Sequence, residues 1–137
     1  LGRELRAQGI HLHYHNHAFA FNKVDGDKNG MDLLMEGLDP DACDLCVDVA
    51  WVQKGGENPA EYLRKYKDKI GYLHFKDYNG DSWVPLGQGE VDFGPIIEEL
   101  KQMPRVRWVV CEQDKTEGDP FECVKQSRRY LKDTFGY

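Results

Sequence analysis

Residues 43–51, CDLCVDVAW, read as a β-strand whose apolar side chains suit burial on both faces. Such strands belong to parallel sheets sheltered by helices, so the stretches on either side should alternate between helix and strand. Upstream, GMDLLMEGL (30–38) reads as a short helix, IHLHYH (10–15) as a strand, and LGRELRAQG (1–9) as a helix stopped by Gly9. Downstream, NPAEYLRKYKDK (58–69) has Asn58 as a cap, Pro59 at the first helical position, and Tyr62, Leu63 and Tyr66 at helical spacing. IGYLHFKD (70–77) is a third strand, and a glycine-rich loop then leads to DFGPIIEELKQM (92–103), where Asp92 caps an apolar stripe. VRWVVCEQD (106–114) is a fourth strand and DPFECVKQSRRYLKDTF (119–135) a last helix. Four β-α units in series predict an α/β fold with parallel strands joined by right-handed crossovers.

The totals narrow the function classes. The chain has 137 residues, and its net charge of −6 with scattered Lys and Arg gives no electrostatic footprint for nucleic acid or anionic lipid. No apolar run approaches the roughly 20 residues that span a bilayer, so no membrane segment is expected. No signal peptide is evident, and the four cysteines read as reduced thiols, so the expected location is the cytoplasm. CDLC has the form of a zinc half-site, but residues three apart in a strand face opposite ways. No linker or repeat divides residues 1–137, which read as a single unit.

Chemistry should gather beyond the carboxyl ends of parallel strands. Four histidines, His11, His13, His15 and His17, alternate along the first strand, and His15 and His17 lie at its end. Asp48 ends the second strand, His74 the third and Glu112 the fourth, at intervals of 33, 26 and 38 residues from His15 onward. Each interval is about one β-α unit, so neighbouring strands should deliver two imidazoles and two carboxylates to one mouth. A lone strand-end residue more often caps a helix or binds a loop. Asp48 resists that reading, because a carboxylate between Val47 and Val49 needs a cation or donors beside it. His11 and His13 sit deeper, where core or surface roles fit better than ligation.

At these residues the chain resembles the sugar phosphate isomerase/epimerase family, the xylose isomerase-like TIM barrels. The resemblance runs through YHNHAFAF, CVDVAWV, GYLHFKD, PLGQGEVDF and VVCEQD, in that order. It implies that residues 1–137 form the C-terminal half of a (β/α)8 barrel, strands five to eight. A complete barrel takes about 250 residues, so the chain is expected to be a fragment of a longer protein or to need a second copy. A half barrel should expose a sheet edge and an apolar interior face.

The resemblance further implies one divalent metal ion held by His15, Asp48, His74 and Glu112. Two nitrogens and two carboxylate oxygens suit Mn, Zn, Co or Fe better than Ca or Mg. Many relatives carry glutamate where His15 stands and histidine where Trp51 stands. The implied function is a metal-dependent isomerase or epimerase on a sugar or sugar-like polyol, working by enolisation next to a carbonyl. Epimerases of this kind use two glutamates, and here only Glu112 remains. A dehydratase (lyase) on a keto sugar or keto inositol is therefore a rival, and a non-catalytic sugar-binding barrel a third reading.

Glu112 is the expected proton carrier. Lys76 either neutralises the enolate or binds a sugar hydroxyl, or is an exposed strand-end lysine. His17 is expected to meet substrate or to orient His15. Trp51 is either a stacking wall for a carbohydrate ring or simply core. Gly87 and Gly89 lack the Lys-Ser/Thr of a phosphate loop and read as turn residues.

Overall fold

The computed structural model describes residues 1–137. Along the chain, helix α1 (Gly2–Ala7) leads to strand β1 (His13–His15), and a small hairpin of β2 (Lys23–Asp25) and β3 (Lys28–Asn29) precedes α2 (Gly30–Gly37). Strand β4 (Asp44–Asp48) runs directly into α3 (Val49–Lys54), which α4 (Pro59–Tyr66) follows. After β5 (Ile70–Phe75) come a second hairpin, β6 (Asp77–Asn79) and β7 (Ser82–Val84), and then α5 (Phe93–Leu100). Strand β8 (Trp108–Cys111) and helix α6 (Pro120–Phe135) come last.

The caps expected at Asn58 and Asp92 form, and Asp119 starts the last helix in the same way. Asn58 accepts from the Glu61 amide at 3.1 Å, Asp92 from Gly94 at 3.0 Å and Asp119 from Phe121 at 2.9 Å. Helix α2 carries a reciprocal capping box between Asn29 and Asp32. Gly9 has φ 78°, the left-handed conformation that ends the first helix without a Cβ penalty.

Four strands form one parallel sheet in the order β1-β4-β5-β8. Neighbours in space are consecutive β-α units, as right-handed crossovers require. The register sets His15 beside Cys46, Asp48 beside His74 and His74 beside Val110, so the carboxyl ends finish level. Strands β1 and β8 have no partner on their outer sides, and Trp108 on β8 is 66% exposed.

The two faces of the sheet differ. Leu45, Val47, Leu73 and Phe75 are buried in one cluster with Leu63, Ile96, Ile97 and Leu131 from the helices. Each such side chain contributes about 1.5–3 kcal/mol by leaving water. The opposite face carries a chain of rings: His13 to Tyr72 at 5.6 Å between centroids, Tyr72 to His74 at 5.5 Å, and His74 to His15 at 4.8 Å. The apolar interior expected of a half barrel is thus corrected: that face is largely polar and aromatic.

Two element boundaries also differ from the sequence reading. The strand predicted over 43–51 stops at Asp48, because the Asp48 side chain accepts from the Trp51 amide at 3.0 Å and starts a helix. That cap overrides the β-preference of Val49. The first strand is confined to 13–15, since it lies at an edge and its upstream residues lack a ladder partner.

Candidate active site

The carboxyl ends of the four parallel strands converge. One ligand atom each from His15, Asp48, His74 and Glu112 lies within 4.8 Å of all the others. The placement of Asp48 begins with Asn16, which is 1% exposed just beyond β1. The Asp48 amide donates to Asn16 Oδ1 at 2.9 Å, and Asn16 Nδ2 donates to the Asp48 carbonyl at 3.3 Å. This pair extends the join between β1 and β4 beyond the last ladder residue and keeps His15 and Asp48 side by side.

Asp48 divides its oxygens between two tasks. Oδ1 caps α3, while Oδ2 is buried without a hydrogen bond, 3.4 Å from Lys76 Nζ. His15 Nδ1 is likewise buried and unpartnered. Two orphaned atoms of ligating type, on two residues of one cluster, fit a cation held there. Burial pushes the Asp48 carboxyl up to about 6, against the Trp51 amide and Lys76, which lower it. Burial also lowers His15, with His74 and His17 adding to the effect, which favours the neutral ring that a metal needs.

Lys76 is 1% exposed, so the exposed-lysine reading is excluded. Its ammonium lies 2.9 Å from Asp114, 3.2 Å from Glu112 and 3.4 Å from Asp48. Burial opposes its charge, but the three carboxylates outweigh that and raise its pKa. Glu112 is similarly balanced: burial pushes it up, while Lys76 and His74 together hold it below the usual range. His74 Nδ1 sits 2.7 Å from Glu112 Oε2. Three carboxylates, Asp48, Glu112 and Asp114, face the single ammonium of Lys76, a formal charge of −2 that matches a divalent cation.

Aromatic rings wall one side. Trp51 and Trp83 meet edge to face at 4.8 Å, and Lys76 Nζ lies 4.7 Å from the Trp83 ring and 5.4 Å from that of Trp51. Trp51 is half-buried, and its indole N–H is buried without an acceptor. His17 is exposed at the rim, 4.8 Å from the His15 ring and 5.4 Å from Trp51. It contacts both but shares no hydrogen bond with His15.

Sequence reasoning missed several residues here. Asp114, Trp83, Asn16 and Cys46 all border the cluster or support it. Cys46 had a signal, since it lies two residues before Asp48 and so on the same face. Burial pushes its thiol up to about 12, which makes it a poor ligand. Cys43 and Cys46 do not fall in one group: the clusters of metal-competent side chains include Cys46, with His15 and His74, but not Cys43.

Asp77 was also unread. It is 1% exposed and accepts from the amides of Tyr78 at 2.9 Å, Gly87 at 2.9 Å, Gly89 at 3.0 Å and Val91 at 3.1 Å. It thereby ties the PLGQGEV loop to the hairpin that carries Trp83. Gly87 and Gly89 are turn residues, as expected, and a Cβ at Gly89 would fall 2.2 Å from Asp77 Oδ1.

Comparison with known proteins places this arrangement. An inosose dehydratase of Lacticaseibacillus casei is 30% identical over 98% of this chain and 51% of its own length. One from Clostridium beijerinckii is 28% identical over 100% of this chain and 52% of its own. A crystal structure of a sugar phosphate isomerase/epimerase from Parabacteroides distasonis superposes with a TM-score of 0.82 at 28% identity, covering 98% of this chain and 50% of that one. The chain spans about half the length of the relatives it matches. A family profile matches residues 1–134. The fold, the order of its strands and that match together establish that the chain belongs to the xylose isomerase-like TIM barrel family.

Proposed function

We propose that this chain contributes the metal-binding half of a barrel enzyme that dehydrates a keto polyol, a lyase acting through enolisation. The observation that carries this reading is the pairing of a single carboxylate base, Glu112, with a buried ammonium, Lys76, at 3.2 Å. Epimerisation by two opposed bases needs a second carboxylate, and β1 presents His15 instead. The names of the relatives at 28–30% identity, inosose dehydratases, point the same way.

His15, Asp48, His74 and Glu112 are the residues that would hold one divalent cation. Bound there, a divalent cation would supply Lewis acidity toward the substrate's carbonyl and hydroxyl oxygens. Its donor set suits Mn, Zn, Co or Fe. Glu112 takes the proton from the carbon next to the carbonyl, its carboxyl being ionised at neutral pH. Lys76 offsets the negative charge that develops on the enolate oxygen. His17, at the open rim, donates a proton to the departing hydroxyl, which leaves as water. Trp51 and Trp83 cover the apolar face of the ring and exclude water from that side.

The opposite wall of the site requires four further strands, from the remainder of a longer chain or from a second copy. The partner is a small carbohydrate rather than nucleic acid. No helix is long and apolar enough to cross a membrane.

The structural likeness to a sugar phosphate isomerase/epimerase supports one second reading, epimerisation of a related keto sugar. Both readings share the first proton transfer. Incubation of the intact protein with a keto inositol and Mn2+ in heavy water separates them. Dehydration yields a conjugated enone, read by ultraviolet absorbance. Epimerisation yields deuterated, inverted substrate without that band. Binding with neither change would overturn the enzymatic reading.

A further inference from the structure

Cys46 stands apart from its neighbours on β4. Leu45 and Val47 join the apolar cluster beneath the helices, whereas Cys46 does not, although it is only 6% exposed. Alternation turns it to the opposite face, the face of Asp48, which lies two residues and about 7 Å further along the strand. A buried cysteine commonly serves as a small apolar filler. This one sits among imidazoles. The register sets it directly beside His15, and His74 lies diagonally across the next ladder, where its own partner is Asp48.

The sulfur of Cys46 and one ring nitrogen each from His15 and His74 lie within 4.8 Å of one another. The same two histidines close the set with Asp48 and Glu112 nearer the mouth. Two ligand sets therefore share their imidazoles and differ in the remainder: two carboxylates above, one thiol below. Strands β1, β4 and β5 are consecutive in the sheet, so completing the barrel beyond β1 and β8 inserts nothing between them.

We propose that Cys46, His15 and His74 form a deeper ligand set that takes a thiophilic dication such as Zn2+. Sulfur and imidazole suit zinc, with a fourth tetrahedral position left to water, whereas carboxylate oxygens suit Mn2+. The free thiol keeps its proton and offers little to a hard cation. Ligation breaks the S–H bond: the sulfur electron pair binds the cation and the proton leaves to solvent. Because both imidazoles are common to the two sets, one ion of either kind fills the cluster, never one of each. The upper set belongs to the reaction proposed above, and the role of Cys46 does not depend on it.

Titration of the intact protein with Cd2+, a thiophilic probe, tests this by ultraviolet absorbance. A thiolate-to-cadmium charge-transfer band should saturate at one ion per chain and expel bound Mn2+, whose free ion is read by electron paramagnetic resonance. Cys46→Ser should abolish the band and weaken Cd2+ binding at least tenfold, while Cys43→Ser and Asp48→Asn keep the band. Cadmium NMR of the unsubstituted protein gives a reading that needs no variant: a sulfur ligand moves the resonance downfield, and coupling to the Cys46 β-protons names the residue. A band in a protein that holds no Mn2+ overturns the upper set and supports the lower one. No band at saturation, a band that survives Cys46→Ser, or Cd2+ and Mn2+ bound together overturns the proposal.

Discussion

Asn16 and Asp48 grip each other through two hydrogen bonds, side chain to backbone in both directions, at 2.9 and 3.3 Å. The contact joins the ends of two parallel strands where the ladder has already stopped. It aligns the carboxylate of Asp48 with the imidazole of His15.

Asn16→Leu keeps the volume of the side chain but leaves the Asp48 amide and carbonyl unpaired in a buried setting. The expected cost is about 3 kcal/mol of stability, measured by urea unfolding. Mn2+ affinity, followed by calorimetry, should fall by about 10–100-fold, as for other groups that orient a ligand.

Asp48→Asn separates the two tasks of one side chain. Asparagine still caps α3, so unfolding free energy in EDTA should change by less than about 1 kcal/mol. Mn2+ binding should weaken by more than about 100-fold, beyond what loss of an orienting group causes. Unchanged Mn2+ affinity would remove Asp48 from the proposed site.

Lys76→Met leaves three carboxylates without their ammonium. Breaking a buried charge pair from one side should destabilise the metal-free protein by about 3–5 kcal/mol. Added Mn2+ should recover much of that loss, because a dication replaces the missing charge. Melting temperatures with and without Mn2+ measure the recovery, and equal shifts in variant and parent would contradict it.

Asp77→Ala frees four amides that one buried carboxylate now satisfies. A loss of about 3 kcal/mol is expected. Faster hydrogen exchange should appear at Gly87, Gly89 and Val91 rather than throughout the sheet. Asp77→Asn, which retains acceptor capacity, should lose less.

What the sequence disclosed followed the range of each interaction. Asn58, Asp92 and Asp119 cap helices through amides two or three residues away, so their roles are written locally. The convergence of His15, Asp48, His74 and Glu112 was legible because each ends a strand and the intervals match one β-α unit. Asp114 and Trp83 reach Lys76 only after the chain has folded back, and neither has a local pattern that announces the contact. The polar inner face of the sheet was misjudged as apolar. Alternation tells which residues share a face, but it does not tell which face meets the helices.

The split duty of Asp48 also restricts what evolution can write at that position. Serine would still begin the helix yet offer no anionic oxygen to the cavity, and glutamate would carry the charge on a longer arm that caps poorly. Aspartate alone meets both demands, so genetic drift at this codon should be narrower than at His15, which answers to the cavity alone.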